Sequence, residues 1–170
     1  MNRNIEFFSS EVSKYRGTRK IIDLSAKFSE CGEWGGHEEN IFITTKADEK
    51  FHLTYQNYYA NCDSMVLIKD SVGSYYTPFK TLVDSCSVIM NQNQMNSIYK
   101  FTHNLLDAKF RESFPGHAGD NFYLKKYDGF AGDKFIINFY GEDSQLIKDY
   151  NQLLKELNLP LRNGDIKKEL

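Results

Sequence analysis

Nine consecutive residues, Cys31 to Glu39, gather many of the side chains in this chain that could perform chemistry. They run Cys-Gly-Glu-Trp-Gly-Gly-His-Glu-Glu and include the one tryptophan of the sequence. Glycines at this density indicate a loop of one particular shape, because glycine adopts positive φ angles and allows close backbone approach. The chemistries to consider are metal binding, nucleophilic catalysis and phosphate binding.

A metal site is the first chemistry that these residues suggest. His37, Glu38 and Glu39 are adjacent, and His52 or His103 would supply a further ligand of the kind that zinc accepts. The segment lacks, however, the two-histidine helical spacing of zinc hydrolases. If Glu39 opens a strand, Glu38 and Glu39 point to opposite faces, which leaves at most one of them beside His37. We therefore predict a solvated loop rim and no metal or other cofactor.

Nucleophilic catalysis would need Cys31 beside a histidine. His37 or His117 would serve as the base, and Asp120 would orient the imidazole. No signature of a cysteine hydrolase surrounds Cys31, and no serine stands in a G-x-S-x-G elbow. The sequence thus predicts that the chain is not an enzyme. The alternative is a small metal-dependent hydrolase that uses the His37 loop.

The glycines also fail the templates for phosphate binding. Gly32, Gly35 and Gly36 are spaced G-x-x-G-G rather than G-x-G-x-x-G, and no Lys-Ser/Thr pair follows as in a P-loop. The loop is expected to join two strands, so no helix N-terminus would receive the anion. Nucleotide cofactors are therefore not expected.

These residues are better suited to contact with a protein or a ligand. Trp34 is the natural anchor of such a loop, because tryptophan is enriched among the residues that dominate binding energy. The alternative is that Trp34 folds back and closes the end of the sheet. The predicted binding residues come from this loop and from a second glycine-rich loop: Glu33, Trp34, His37, Glu38, His117 and Asp120.

The elements that must position these loops begin with a block of strands. Runs of β-branched and aromatic residues predict strands at 19–24, 40–45, 50–59, 64–69, 122–127 and 134–140. The stretch 75–90 has apolar residues at helical spacing, but Pro78 and the run at 88–90 favour a strand, with a helix as the alternative. The apolar run at 64–69 is expected to be buried on both faces. Filling of half-buried sheet surface explains most of the aromatic residues, and the tyrosines considered instead for a binding face are Tyr55, Tyr58 and Tyr59.

Two helices follow from apolar repeats of three to four residues. The first begins near Asn91, where Gln94 completes a capping-box pattern. The second begins at Asp143 or Ser144, and Pro160 stops it. This order predicts one α+β domain, with a largely antiparallel sheet of about six strands and two helices packed on one face. The domain spans residues 1–170, with 1–17 and 161–170 expected to be loose.

Composition excludes several classes of partner and leaves the compartment open. The formal net charge is −2 and the lysines are scattered, so the basic stripe typical of nucleic-acid-binding proteins is absent. No apolar run reaches the ~18 residues of a membrane span. The first residues lack the apolar region of a signal peptide. The protein is therefore expected to be cytoplasmic, or periplasmic or exported if a signal peptide has been removed.

The three cysteines bear on the compartment as well. If a hairpin turns near position 48, Cys31 lies opposite a position close to Cys62. A Cys31–Cys62 disulfide is then geometrically reasonable, with Cys86 left as a buried thiol. The alternative is three reduced cysteines that act as small core residues. An exported protein would favour the disulfide, and a cytosolic one the thiols.

The segment Cys-Gly-x-Trp-Gly-Gly-His-x-Glu at 31–39, with the hairpin and Cys62 after it, resembles small α+β proteins of Bacteroidota-type bacteria. Some of those proteins resemble immunity proteins encoded beside secreted toxins. The resemblance implies no catalytic residues. The lack of a catalytic constellation and the glycine–tryptophan loop favour a non-enzymatic protein-binding domain, and with the resemblance they predict an immunity or inhibitor protein that neutralises a toxin or effector. A further alternative is an exported ligand-binding domain of the cell envelope.

Overall fold

A computed structural model of the chain describes residues 7–8, 17–113, 118–128 and 132–160. The elements in chain order are β1 (Arg19–Lys27), a short 3-10 turn (Gly32–Trp34), β2 (Glu38–Thr45), β3 (Phe51–Lys69), β4 (Ser74–Ile89), α1 (Gln92–Phe110), β5 (Asp120–Asp128), β6 (Gly132–Gly141) and α2 (Ser144–Glu156). No helix within the described ranges is long and apolar enough to cross a membrane.

The strands form one six-stranded antiparallel sheet in the order β4-β3-β2-β1-β5-β6. The β2–β3 hairpin turns where the sequence predicted, with Thr45 opposite Phe51. Asp48 supports this turn by accepting a hydrogen bond of 3.1 Å from the backbone N–H of Lys50. Because the side chains of a strand alternate between its faces, the turn decides which face each residue of the hairpin occupies.

Both helices cover one face of the sheet, and the predicted α+β arrangement is confirmed. Phe122 of β5 contacts Phe101 of α1 and Tyr150 of α2, with ring centroids 6.4 Å and 5.5 Å apart. Alternate residues of the strands point to this helix-covered face. Together with the apolar stripes of the helices they form the hydrophobic core.

Side-chain caps define where the two helices begin. Asn91 accepts a hydrogen bond from the backbone N–H of Gln94, and Gln94 accepts one from the backbone N–H of Asn91, both at 3.0 Å. Asp143 accepts from the backbone N–H groups of Gln145 and Leu146 at 2.9 Å and 3.0 Å. The predicted capping box and the predicted Asp143 cap are both confirmed.

β3 and β4 continue past the other strands, which corrects the sequence analysis. The residues predicted as a separate buried strand at 64–69 are instead the second half of β3. β2 pairs with β3 only as far as Tyr58, so from Tyr59 onward β3 pairs with β4 alone. The prediction of burial on both faces is wrong, since Leu67 is 46% exposed.

The ends predicted to be loose lie mostly outside the described residues. Phe7 and Phe8 are exceptions within the first seventeen residues. Phe8 is buried in the core, where its ring packs at 5.4 Å against Phe51, and Phe7 packs at 5.3 Å against Tyr99 of α1. This aromatic pair therefore joins the first residues to the body of the fold.

Candidate binding surface

The chain between β1 and β2 closes on itself as a compact loop. The backbone N–H of Phe28 donates to the carbonyl of His37 at 2.9 Å, and that of Cys31 donates to the carbonyl of Gly35 at 2.7 Å. Gly32 and Gly35 have positive φ angles of 66° and 84°, where a side chain would be strained. The glycine spacing that fits no phosphate template thus serves the shape of this loop.

Trp34 stands at the end of the 3-10 turn, and 51% of it is exposed. It therefore does not fill the end of the sheet, which was the alternative to a contact role. Glu33 beside it is exposed too. The turn contacts β4, so Trp34 stands near the edge strand of the sheet.

A disulfide ties this loop to β3. Cys31 and Cys62 are bonded, with Cα atoms 5.2 Å apart, which is the pairing that the hairpin geometry indicated. Cys62 stands in a bulge, because the pairing of β3 with β4 jumps from Asn61 to Met65. Cys86 is the free thiol and is partly buried. Burial raises the pKa of the Cys86 thiol, which leaves it mostly protonated at neutral pH.

Residues 59–83, which are the end of β3, its turn and the start of β4, form an arm. From Tyr59 to Thr81 its two strands pair only with each other, and Leu82 and Val83 form its base beside Tyr58. A two-stranded hairpin has no core of its own. Val72, in the turn of the arm, is 94% exposed. Most of the large apolar side chains that are exposed in the described ranges lie on this arm: Tyr59, Met65, Leu67, Ile68, Val72, Tyr75, Tyr76, Phe79, Leu82 and Val83.

The arm was not predicted from the sequence, although a signal for it is present. Asp70 to Gly73 is a turn pattern between two apolar runs of strand length. In the structure the Asp70 carboxylate accepts hydrogen bonds from the backbone N–H groups of Val72 and Gly73, at 2.8 Å and 3.1 Å. If 64–69 and the first part of 75–90 are treated as the two strands of one hairpin, both segments extend past the end of β2.

The three tyrosines considered for a binding face have different environments. Tyr55 is fully buried, Tyr58 is half-buried and donates to Gln56 at 3.2 Å, and Tyr59 on the arm is 58% exposed. Alternation along β3 explains the first two, since Tyr55 points to the helices and Tyr58 to the opposite face. Of these three, Tyr59 therefore contributes most to the candidate surface.

Glu38 and Glu39 point to opposite faces, as strand alternation predicted. Glu38 pairs with Lys80 of β4 and accepts a hydrogen bond of 3.1 Å from Asn40. Burial opposes its ionisation, but Lys80, the charge of Lys27 and Asn40 outweigh that effect and lower the pKa of Glu38. Glu38 therefore fastens the base of the arm through β4 and is already engaged by basic groups of this chain.

Glu39 lies inside the fold, under the helices, with 0% of its surface exposed. It accepts from the hydroxyl of Tyr150 at 2.9 Å and lies 2.9 Å from His37 Nε2. Burial and the negative charge of Glu39 raise the pKa of Tyr55 well above its usual value. The Tyr55 hydroxyl nevertheless has no hydrogen bond of normal geometry in the described residues. The group formed by His37, Glu39, Tyr55 and Tyr150 connects β2, β3 and α2. It also holds the His37 side chain away from the surface of the loop.

The second predicted loop contributes less to a binding surface than expected. Asp120 accepts hydrogen bonds from the backbone N–H of Ser29 at 2.9 Å and from its hydroxyl at 3.0 Å. It thus braces the first loop instead of pointing to a partner. His117 lies outside the described residues. Where the chain is described, no group of three His, Cys, Asp or Glu side chains could hold a metal ion.

Comparison with known proteins finds no similar chain. No family model matches this sequence, and no curated protein or solved structure matches it. The candidate surface is therefore defined by geometry alone: the arm, residues 59–83, with the Trp34 turn fastened to its base.

Proposed function

We propose that this chain is a non-enzymatic protein-binding domain that inhibits or neutralises a protein partner, as an immunity protein neutralises a toxin, and that it contacts the partner through the arm. One observation carries the proposal: ten large apolar side chains are exposed on a projecting hairpin and its base. Exposed apolar surface of this extent marks interaction sites in natural proteins.

The area of the arm suits a stable protein complex. A large aromatic or aliphatic side chain that is half exposed leaves on the order of 100 Å² accessible, so ten of them offer roughly 1,000 Å². A standard interface buries about 800 Å² on each partner. The arm alone is thus large enough to form one side of such an interface, and Trp34 at its base extends it.

The charge of the arm favours a protein over other partners. Residues 59–83 contain two lysines, Lys69 and Lys80, and two aspartates, Asp63 and Asp70. Nucleic acids and anionic membranes are bound through excess positive charge, which this segment lacks. An apolar and electrically neutral arm fits a weakly charged apolar cleft in another protein.

The way the arm is fastened supports tight binding. The Cys31–Cys62 disulfide and the Lys80–Glu38 ion pair hold its base to the sheet and the Trp34 loop. A surface that is ordered before binding loses less conformational entropy when the complex forms. A hairpin of two strands is also narrow enough to enter a cleft, which is a direct means of inhibition.

The structure bears differently on two alternative functions. The hydrolase hypothesis depends on His37, whose Nε2 is engaged by a fully buried glutamate; the geometry gives that hypothesis no support. The exported ligand-binding hypothesis gains support from the Cys31–Cys62 bond, because disulfides persist in oxidising compartments. An inhibitor that acts outside the cytosol would satisfy both the bond and the arm.

Site-specific photo-crosslinking tests the proposal. A benzophenone amino acid replaces Val72 on the arm or, as the matched control, Phe110 on α1, which is 81% exposed. In cells of the source organism we expect a discrete protein adduct from position 72 and none from position 110. The captured protein, once purified, should lose activity when the chain is added. An identical adduct pattern at both positions, or no adduct at position 72, would refute binding through the arm.

A substitution pair then measures the contribution of the arm. The double variant Tyr75→Ser and Tyr76→Ser should weaken binding to the purified partner at least about 100-fold, because buried tyrosines dominate interface energies. Phe110→Ser should change the affinity less than about threefold. Isothermal titration calorimetry distinguishes the two, and equal effects would show that the arm is not the contact surface.

A further inference from the structure

We propose that the outer edge of β4 at Ser85–Met90 joins two copies of this chain, by antiparallel pairing of β4 with β4 of a second copy. The inference is separate from the proposed function, since it concerns the backbone edge beside the arm and not the apolar tip. β4 is a terminal strand of the sheet, and no described residue pairs with its outer side.

The register of β4 shows which backbone groups are available. The N–H of Met90 donates to the carbonyl of Phe51 at 2.9 Å. Opposed residues of an antiparallel pair alternate between hydrogen-bonded and non-hydrogen-bonded positions, and the register is regular from His52 opposite Ile89 to Asn57 opposite Asp84. The N–H and C=O groups that point away from β3 are therefore those of three alternate residues: Ser85, Ser87 and Ile89.

Those three residues permit a symmetric pairing. A two-fold axis at Ser87 places Ser87 opposite Ser87 of the second copy and Ser85 opposite Ile89 of the second copy. Each opposed pair can then exchange two backbone hydrogen bonds, because both members have their groups directed outward. The helix α1, which starts at Gln92, limits the pairing to about this length.

The positions of the charged residues are also compatible with pairing of β4 with β4 of a second copy. The segment Ser85–Met90 contains no charged residue, whereas natural sheets commonly protect an open edge with lysine or another charge. The nearest charge is Asp84, and the proposed axis sets it opposite Met90 of the second copy, so no like charges face each other. Lys80, the one lysine of β4, is engaged by Glu38 and lies outside Ser85–Met90, so it does not protect this segment against pairing.

The apolar side chains near the axis add to the buried area. Ile89 is 55% exposed on the face away from the helices and would pack against Ser85 of the second copy. Leu82 and Val83, at the base of the arm and 47% and 52% exposed, would lie near the start of α1 of the second copy. The tip of the arm remains free, so a dimer and the proposed inhibitor function are compatible.

A single-residue substitution can block this edge without breaking the sheet. Ser87→Pro removes an outward N–H, and proline is tolerated at such positions of edge strands. Ser87→Thr is the matched control, because it keeps the N–H and the hydroxyl. Sedimentation equilibrium between 5 and 500 μM, a range on the order of typical Kd values for small interfaces, measures the oligomeric state. Wild type and Ser87→Thr should reach about twice the monomer mass, whereas Ser87→Pro should stay monomeric.

Crosslinking keeps the test decisive if the proline variant does not fold, which its circular dichroism would reveal. In the background Cys86→Ser, the variant Ser87→Cys should form an interchain disulfide on oxidation, because opposed Cα atoms about 5.5 Å apart lie within disulfide range. Ser71→Cys in the arm turn is the control and should not. A wild-type chain that stays monomeric, a folded Ser87→Pro that still dimerises, or equal crosslinking at both positions would overturn the proposal.

Discussion

The two edges of the sheet differ in how their backbone is covered. On β6, the carboxylate of Glu112 accepts a hydrogen bond from the backbone N–H of Tyr140, and Phe7 packs against Phe135 at 6.3 Å. On β4, no described residue caps the outer edge, and the strand continues into an apolar arm. An edge capped by a side chain has fewer groups for a further strand. This contrast supports the proposals that place intermolecular contact on the β4 side.

The same contrast holds for side chains. Under the helices the fold buries a carboxylate, Glu39, and satisfies it with Tyr150 and His37. On the arm it leaves Val72 and its apolar neighbours in solvent. Burying a charge is costly unless it is hydrogen-bonded, and exposing apolar surface is costly unless it is covered. The body of the sheet compensates its buried carboxylate with hydrogen bonds from the same chain, whereas the apolar side chains of the arm stay exposed.

The largest effect is expected from the bond that holds the arm. Replacing both Cys31 and Cys62 by serine should lower the free energy of unfolding by about 3 to 4 kcal/mol, because the disulfide closes a long loop in the unfolded chain. Urea unfolding measures the change. Cys86→Ser is the control and should cost less than about 1 kcal/mol, since this thiol is only partly buried. Equal losses in the two variants would mean that the arm is held by other contacts.

An intermediate effect is expected from opening the β6 edge. Glu112→Ala removes the acceptor for the Tyr140 N–H and the partner of Lys109, and should cost about 1 kcal/mol. Glu112→Gln keeps an acceptor and should cost less. If Glu112→Ala leaves the thermal midpoint unchanged, the carboxylate does not protect this edge.

The effect of Glu112 should also depend on pH. The hydrogen bond from Lys109 and that from the Tyr140 N–H lower the pKa of Glu112 from its usual 4.5. A carboxyl group whose pKa is lower in the folded state stabilises the fold above the unfolded pKa and loses that contribution as the pH falls through the folded value. The stability difference between wild type and Glu112→Gln should therefore be full at pH 7 and shrink below about pH 4.

The smallest effect on stability is expected on the arm. Val72→Ser and Tyr76→Ser should each change the free energy of unfolding by less than about 0.5 kcal/mol, because both side chains are mostly in solvent. Phe110→Ser, exposed on α1, provides a matched value. A loss above about 1 kcal/mol at Val72 would show that the arm packs within the fold and is not a free surface.

Much of the local structure could be predicted from the sequence, because it depends on neighbouring residues. The cap at Asn91 and Gln94 acts within one helical turn. The end of α2 is also local, although the helix ends at Glu156, before the predicted stop at Pro160, and Asn158 adopts a positive φ of 58°. The turn near Asp48 sets the register of β2 and β3, and with it the opposite orientations of Glu38 and Glu39. The same register also predicts that Cys31 lies near Cys62.

Burial of the apolar run at 64–69 could not be predicted in this way. A continuous run of Met, Val, Leu and Ile has the same pattern in a strand covered on both faces and in an uncovered hairpin. Which of these occurs depends on whether β2 extends beside β3, and β2 ends opposite Tyr58. The candidate surface followed from that length difference and not from the glycine loop alone.

Residue types and their short-range spacing thus specified most of the strands, both helices and the β2–β3 turn. The roles of the loop residues depended on contacts between distant parts of the chain. Asp120 is held by Ser29, 91 residues away, and Glu39 by Tyr150, 111 residues away. Local sequence encodes backbone geometry and alternation, whereas burial and exposure depend on which elements the whole fold brings together. That is why Trp34 and the arm lie open while Glu39 and His37 are turned inward.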